Sequence, residues 1–87
     1  MKVLLTGSSK GIGFKIAQDL IIEGHDMALH YNKNKSSIES LLKEKKSKSF
    51  SVQADLSSKG QIKKLVEDTI KKFSFPDCVI NNAGIAE

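Results

Sequence analysis

The chain has 87 residues, 39% hydrophobic and 28% charged, and carries a net charge of +4. That length allows one domain at most, and the apolar share suits a folded globular protein rather than a disordered one. No apolar run approaches the roughly 20 residues of a membrane span, MKVLLTGSS is interrupted too soon for a signal peptide, and a lone Cys78 excludes an intrachain disulfide framework and a cysteine metal cluster.

KVLLT (2–6) is a short apolar run ended by glycine, which predicts a strand covered on both faces. Ile12, Ile16, Ala17, Leu20 and Ile21 then recur at helical spacing, and Gly24 stands where a glycine ends a helix. DMALHY (26–31) reads as a second strand and NKNKSS (32–37) as a polar loop. Ser36 and Glu39 have capping-box spacing, followed by Ile38, Leu41 and Leu42 on one helix face. SFSVQA (49–54) predicts a third strand with Phe50, Val52 and Ala54 on one side. Ser58 and Gln61 offer a second capping box. The third helix puts Ile62, Leu65, Val66, Thr69, Ile70 and Phe73 on its apolar stripe. FPD (75–77) is a turn, CVIN (78–81) a fourth strand and NAGIAE a loop. Strands alternating with helices predict an α/β fold: a doubly wound parallel sheet of the Rossmann type with right-handed crossovers.

Every basic residue is lysine, with clusters at 43–48, 62–64 and 70–72. Solvated helix faces and helix C-termini account for them better than a nucleic-acid surface, which would carry arginines or interleaved aromatics. His25 and His30 have no metal-ligand spacing and read as surface or strand residues. Cys78 reads as a small buried core residue. No metal site is expected.

The stretch that carries chemistry is TGSSKGIG (6–13), a predicted strand-to-helix turn. A helix N-terminus presents unpaired N–H groups and about half a positive charge, so a phosphate docks there when the backbone is unobstructed. Gly7 allows the tight turn, Gly11 a close approach to a pyrophosphate, and Gly13 close packing of helix on sheet. Ser8 and Ser9 add hydroxyl donors. A valine at Gly11 or Gly13 is expected to abolish nucleotide binding by filling the phosphate's place. The nucleotide-triphosphatase loop is excluded, because Lys10 precedes its glycine instead of following it. If the strand order is 3-2-1-4, the sequence NNAG (81–84) would face the glycine turn across the crevice where the order reverses.

These motifs resemble the short-chain dehydrogenase/reductase family, within it the 3-oxoacyl-(acyl-carrier-protein) reductase type. TGSSKGIG is similar to that family's Thr-Gly-x-x-x-Gly-x-Gly cofactor motif, NNAG to its second signature, and ADL (54–56) to its adenine-contact aspartate and neighbour. The resemblance covers all 87 residues, but about the first third of such an enzyme. It implies a nicotinamide cofactor held by Gly7, Ser9, Lys10, Gly11, Ile12, Gly13, Asn32, Lys33, Asp55, Leu56, Asn81, Ala83 and Gly84, with Asn81 tying neighbouring loops together. It also implies hydride exchange with a small carbonyl or alcohol substrate, and a homo-oligomer. The family's catalytic serine and Tyr-x-x-x-Lys pair have no counterpart here. Tyr31 and Lys35 share that spacing by coincidence, at the adenosine side, where Tyr31 packs beside the adenine pocket or the loop. No catalytic residue is therefore assigned within residues 1–87, a single cofactor-binding segment read as the N-terminal part of a longer enzyme.

An NAD-specific site needs an acid at the end of the second strand to hold the ribose 2′-hydroxyl. Here that end reads His30-Tyr31-Asn32-Lys33, and Lys10 and Lys33 flank the place of a 2′-phosphate, so NADP(H) is expected over NAD(H). The resulting reading is a cytoplasmic NADP(H)-dependent oxidoreductase segment with neither nucleic-acid nor membrane partner. The alternative is a stand-alone nucleotide-binding or regulatory module.

Overall fold

The structure, a computed structural model, describes residues 1–9, 11–43 and 48–83. Seven elements alternate along it: β1 (Lys2–Thr6), α1 (Gly11–Ile22), β2 (Asp26–Tyr31), α2 (Ser36–Lys43), β3 (Phe50–Gln53), α3 (Lys59–Phe73) and β4 (Cys78–Asn81). The strands form one parallel sheet in the order β3-β2-β1-β4, so the order reverses between β1 and β4 as expected. β3 is shorter than its apolar pattern. Ser49 precedes it, its hydroxyl accepting a hydrogen bond from the Met27 N–H, and Ala54 follows it.

Successive strand residues point to opposite faces, and helices cover both. Val3, Leu5, Met27 and Leu29 pack on one face with Ala17 and Ile21 of α1 and Ile38 and Leu41 of α2. Leu4, Ala28, Val52 and Ala54 pack on the other with Leu65 and Phe73 of α3. That is why β1 and the centre of β2 are continuous apolar runs and not alternating ones. Helix α1 stops at Gly24, whose φ of +92° suits glycine. The Gly24 N–H donates to the Ile21 carbonyl and the His25 N–H to that of Leu20, which closes the last turn.

Three expectations about packing are corrected. Ile62 and Val66 are exposed, because α3 seats through Leu65, Thr69 and Phe73 and no described element covers its remaining flank or the neighbouring Val79 of β4. Neither capping box closes. Ser36 donates through its N–H and hydroxyl to Asn34 Oδ1, and Glu39 lies beside Lys35. Ser58 makes no side-chain cap, and Gln61 Oε1 accepts from the Asp55 N–H instead. Cys78 is half-buried against the α1 face of the sheet and not fully enclosed. Among the described residues no helix is long and apolar enough to cross a membrane.

Candidate functional site

All four parallel strands bring their carboxyl ends to one edge of the sheet, and the glycine turn leaves β1 there. Gly7 takes φ +66°, a conformation open to glycine because it lacks a Cβ. A Cβ at Gly7 would stand 2.8 Å from Ala83 Cα, so residues 7 and 83 are held at closest approach. The Gly7 N–H donates to His30 Nδ1 at 3.0 Å. Ser8 is fully buried, its N–H and hydroxyl both donating to the His30 carbonyl. The expectation that Ser8 offers a hydroxyl to a ligand is therefore wrong, since its donors are consumed by the neighbouring strand. Ser9 remains at the surface of the site, with its carbonyl accepting from the Ser37 hydroxyl at 2.7 Å.

Gly11 and Gly13, two residues apart, do different work. Gly11 opens α1 with φ +61°, and a Cβ there would meet nothing within 4 Å. Its outer face is open, at a helix terminus whose first turn holds no acid. Gly13 is buried, and a Cβ there would come under 3.0 Å from the Gly7 carbonyl oxygen and Asn82 Nδ2. A valine at Gly13 would therefore strike the turn itself, not a ligand's place, which corrects the reason given above for its effect.

The second motif is fastened to the first by Thr6 and Asn82. Thr6 Oγ1 accepts from the N–H groups of Asn82 (3.0 Å) and Ala83 (3.1 Å) and donates to Asn81 Oδ1 (3.2 Å). Asn82 Nδ2 donates to the Gly7 carbonyl at 3.0 Å. Both amides therefore tie the segments together, as expected of Asn81: that of exposed Asn81 through Thr6, and that of buried Asn82, not anticipated, through the Gly7 carbonyl. Strand parity carried the signal: Asn81 continues the exposed face of Val79, and Asn82 the covered face of Cys78 and Ile80.

Between the glycine turn and the ends of β2 and β3 lies a cavity of about 480 Å3. Of the expected cofactor residues it is lined by Gly7, Ser9, Asn32, Lys33, Asp55, Leu56 and Ala83. Gly11, Ile12, Gly13 and Asn81 lie outside its wall, and Ile12 is exposed. Lys10, Gly84 and residues 44–47 of the lysine cluster lie outside the described residues. Tyr31 packs against the core on the α1 and α2 side of the sheet and does not line the cavity, although its neighbours His30 and Asn32 do. Asn34, Ala54, Ser57 and His30 line the cavity without having been anticipated.

His30 is the main omission. Of the two expectations, surface or strand, the second holds: His30 lies in β2 and is 2% exposed, and its ring spans from Gly7 to the Ala54 carbonyl, 2.8 Å from Nε2. Burial lowers its pKa below the ordinary 6.5, with the Ala54 carbonyl opposing that shift in part. A titratable side chain inside a run covered on both faces was the available signal. His25, by contrast, lies 3.5 Å from Glu23 at the far end of β2. Asp55 stands at the cavity's rim. The Ser57 hydroxyl and N–H both donate to its carboxylate, and with Lys33 nearby they hold its pKa below the usual range. It caps this turn and not helix α3. Among the described residues no group of His, Cys, Asp or Glu could hold a metal ion.

Comparison with known proteins agrees with this geometry. The chain is 36% identical over 87 residues to the 3-oxoacyl-(acyl-carrier-protein) reductase FabG of Staphylococcus epidermidis, covering 97% of this chain and 36% of that protein. It thus spans about a third of the relatives it matches. A doubly substituted short-chain dehydrogenase/reductase from Serratia marcescens superposes with a TM-score of 0.86 at 25% identity, over 97% of this chain and 36% of that one. An NADH-dependent reductase complexed with NAD superposes at 0.78 and 26% identity, over 93% and 35%. The family model described as short chain dehydrogenase matches residues 1–87 from end to end. With its parallel 3-2-1-4 sheet and its glycine turn locked to Asn82 and Ala83, the chain belongs to the short-chain dehydrogenase family.

Proposed function

We propose that these residues are the NADP(H)-binding, N-terminal part of a longer cytoplasmic oxidoreductase that reduces a carbonyl, in the manner of a 3-oxoacyl-(acyl-carrier-protein) reductase, and that assembles as a homo-oligomer. The carrying observation is the cavity beside the glycine turn. Its far wall is Asn32, Lys33 and Asn34, without an acid at the end of β2. A dinucleotide suits this chemistry. The open outer face of Gly11 at the start of α1 puts no side chain in the way of a pyrophosphate at a helix N-terminus, where unpaired N–H groups favour an anion. Lys33 supplies a cation for a 2′-phosphate, and Asp55 an acceptor for an adenine amino group. The bound cofactor would supply the hydride. The residues of this chain would bind and orient it, with Asn82 and Thr6 keeping the NNAG loop against the turn.

The 87-residue chain alone is accordingly expected to bind cofactor without turnover. Titration with NADPH and NADH tests the reading. A charge-assisted contact is worth about 1.5–3 kcal/mol, so NADPH should bind at least about tenfold tighter. Equal or tighter binding of NADH would refute the NADP(H) assignment. NADPH oxidation by the chain alone with a 3-oxoacyl thioester would refute the division of labour.

A further inference from the structure

We propose that His30 is the positioning residue of the nucleotide cavity: its ring, with its proton on Nε2, ties the glycine turn to the end of β3 and so sets the cavity's width. This rests on the nucleotide reading above. β2 lies between β1 and β3 in the sheet, and His30 is at its carboxyl end. One ring nitrogen receives the Gly7 N–H and the other lies 2.8 Å from the Ala54 carbonyl. A carbonyl accepts only, so Nε2 carries the proton, and an N–H donates to Nδ1, so that atom carries none. The two bonds therefore specify one neutral tautomer. Gly7 and Ala54 are both cavity walls, and the ring lines the cavity between them. The backbone of the same residue holds Ser8 at the same turn through two further hydrogen bonds.

A second proton on the ring would sit on Nδ1 and remove the acceptor for the Gly7 N–H. The charged groups sharing the cavity are Asp55, whose Oδ1 accepts from the Ser57 N–H and hydroxyl, and Lys33. The side chains that α3 buries against this sheet face, Leu65, Thr69 and Phe73, carry no charge. Burial keeps the ring's pKa below the ordinary 6.5. The unfolded chain thus binds more protons than the folded one on the acid side of neutrality. The clamp is complete above pH 6.5 and is lost as pH falls through the lowered value.

The test compares the full chain with its His30→Asn and His30→Phe variants. Asparagine places Oδ1 near the position of Nδ1, so it keeps an acceptor for Gly7 but does not titrate. Phenylalanine keeps the bulk and neither bond. NADPH affinity is measured from pH 7.5 down to 5, and the wild-type ring tautomer is read from its 15N shifts. His30→Phe is expected to bind about tenfold more weakly or worse at pH 7.5, with His30→Asn, which keeps the Gly7 bond but not the Ala54 bond, recovering only part of the loss. As pH falls through the ring's lowered pKa, wild-type affinity should fall more steeply than that of His30→Asn, which shares every other titrating group, the nucleotide's phosphates included. The nitrogen shifts should report a proton on Nε2 alone. Parallel pH profiles, or a proton on Nδ1 near neutrality, would overturn the proposal even if His30→Phe fails to fold. If NADPH and NADH bind to none of the three at any pH, the nucleotide reading falls and takes this inference with it. Binding with parallel profiles refutes the inference alone.

Discussion

Replacing Gly13 with alanine sets two effects of opposite sign against each other. In an open helix interior the change stabilises by about 1 kcal/mol, because glycine has the larger backbone entropy to lose. At Gly13 the new methyl would lie under 3.0 Å from the Gly7 carbonyl oxygen and from Asn82 Nδ2. Neither is the free end of a flexible side chain: one is backbone in a positive-φ turn, the other an amide bonded to that same carbonyl. Relief requires α1 to retreat or Asn82 to let go. Overpacking of this kind costs about 1–3 kcal/mol, and a lost hydrogen bond with a stranded partner about 1–3 more. Allowing for the helix gain, the net is destabilisation by about 1–5 kcal/mol. At about 4–8 °C per kcal/mol for a domain of this size, the melting temperature should drop by roughly 5 °C or more. Thermal and urea unfolding followed by circular dichroism measures it. Gly11→Ala is the control, since its Cβ meets nothing and its cost is confined to about 1–2 kcal/mol of left-handed backbone. A Gly13→Ala protein as stable as the parent, with the Asn82 side-chain amide resonance unmoved, would refute the account of the turn.

Thr6→Val should cost about 1–3 kcal/mol for each stranded amide, because the N–H groups of Asn82 and Ala83 lose their acceptor. Thr6→Ser should recover most of it, and faster hydrogen exchange at those two amides is the specific check. Lys33→Glu should weaken NADPH binding by about tenfold or more while changing NADH binding far less. Comparable losses for both cofactors would remove Lys33 from the 2′-phosphate. Val79 is 58% exposed on β4, an edge strand among the described residues. An apolar edge invites pairing with another chain, so Val79→Lys should lower the sedimentation-derived mass of the 87-residue chain if that edge self-associates. An unchanged mass in an associating protein would direct attention elsewhere.

The alternation of elements and the glycine turn were legible in the sequence because each rests on local pattern, whereas the order 3-2-1-4 was a supposition that accompanied the family resemblance and that the sheet bears out. The centres of both strands, VLL (3–5) and MAL (27–29), are unbroken apolar runs because helices cover both faces. The Ile21–Gly24 spacing marks where α1 ends, since the +92° turn suits a residue without a side chain. Pattern alone did not decide where short polar side chains point. Ser8 and Ser9 are chemically alike, yet Ser8 turns inward to the His30 carbonyl and Ser9 faces the cavity. Asn81 and Asn82 differ by one step of the pleat, which decides that Asn82 bonds the Gly7 carbonyl. Gln61 has capping-box spacing but bonds Asp55. His30 was read from what its own segment lacked, a metal-ligand spacing. Its partners come from residues 7 and 54, brought to it from the two flanking strands. Periodicity is a property of one segment and is written in its residues. A hydrogen bond between segments more than twenty residues apart exists only once the sheet has set three strand ends side by side, and only the tertiary structure determines which groups then meet.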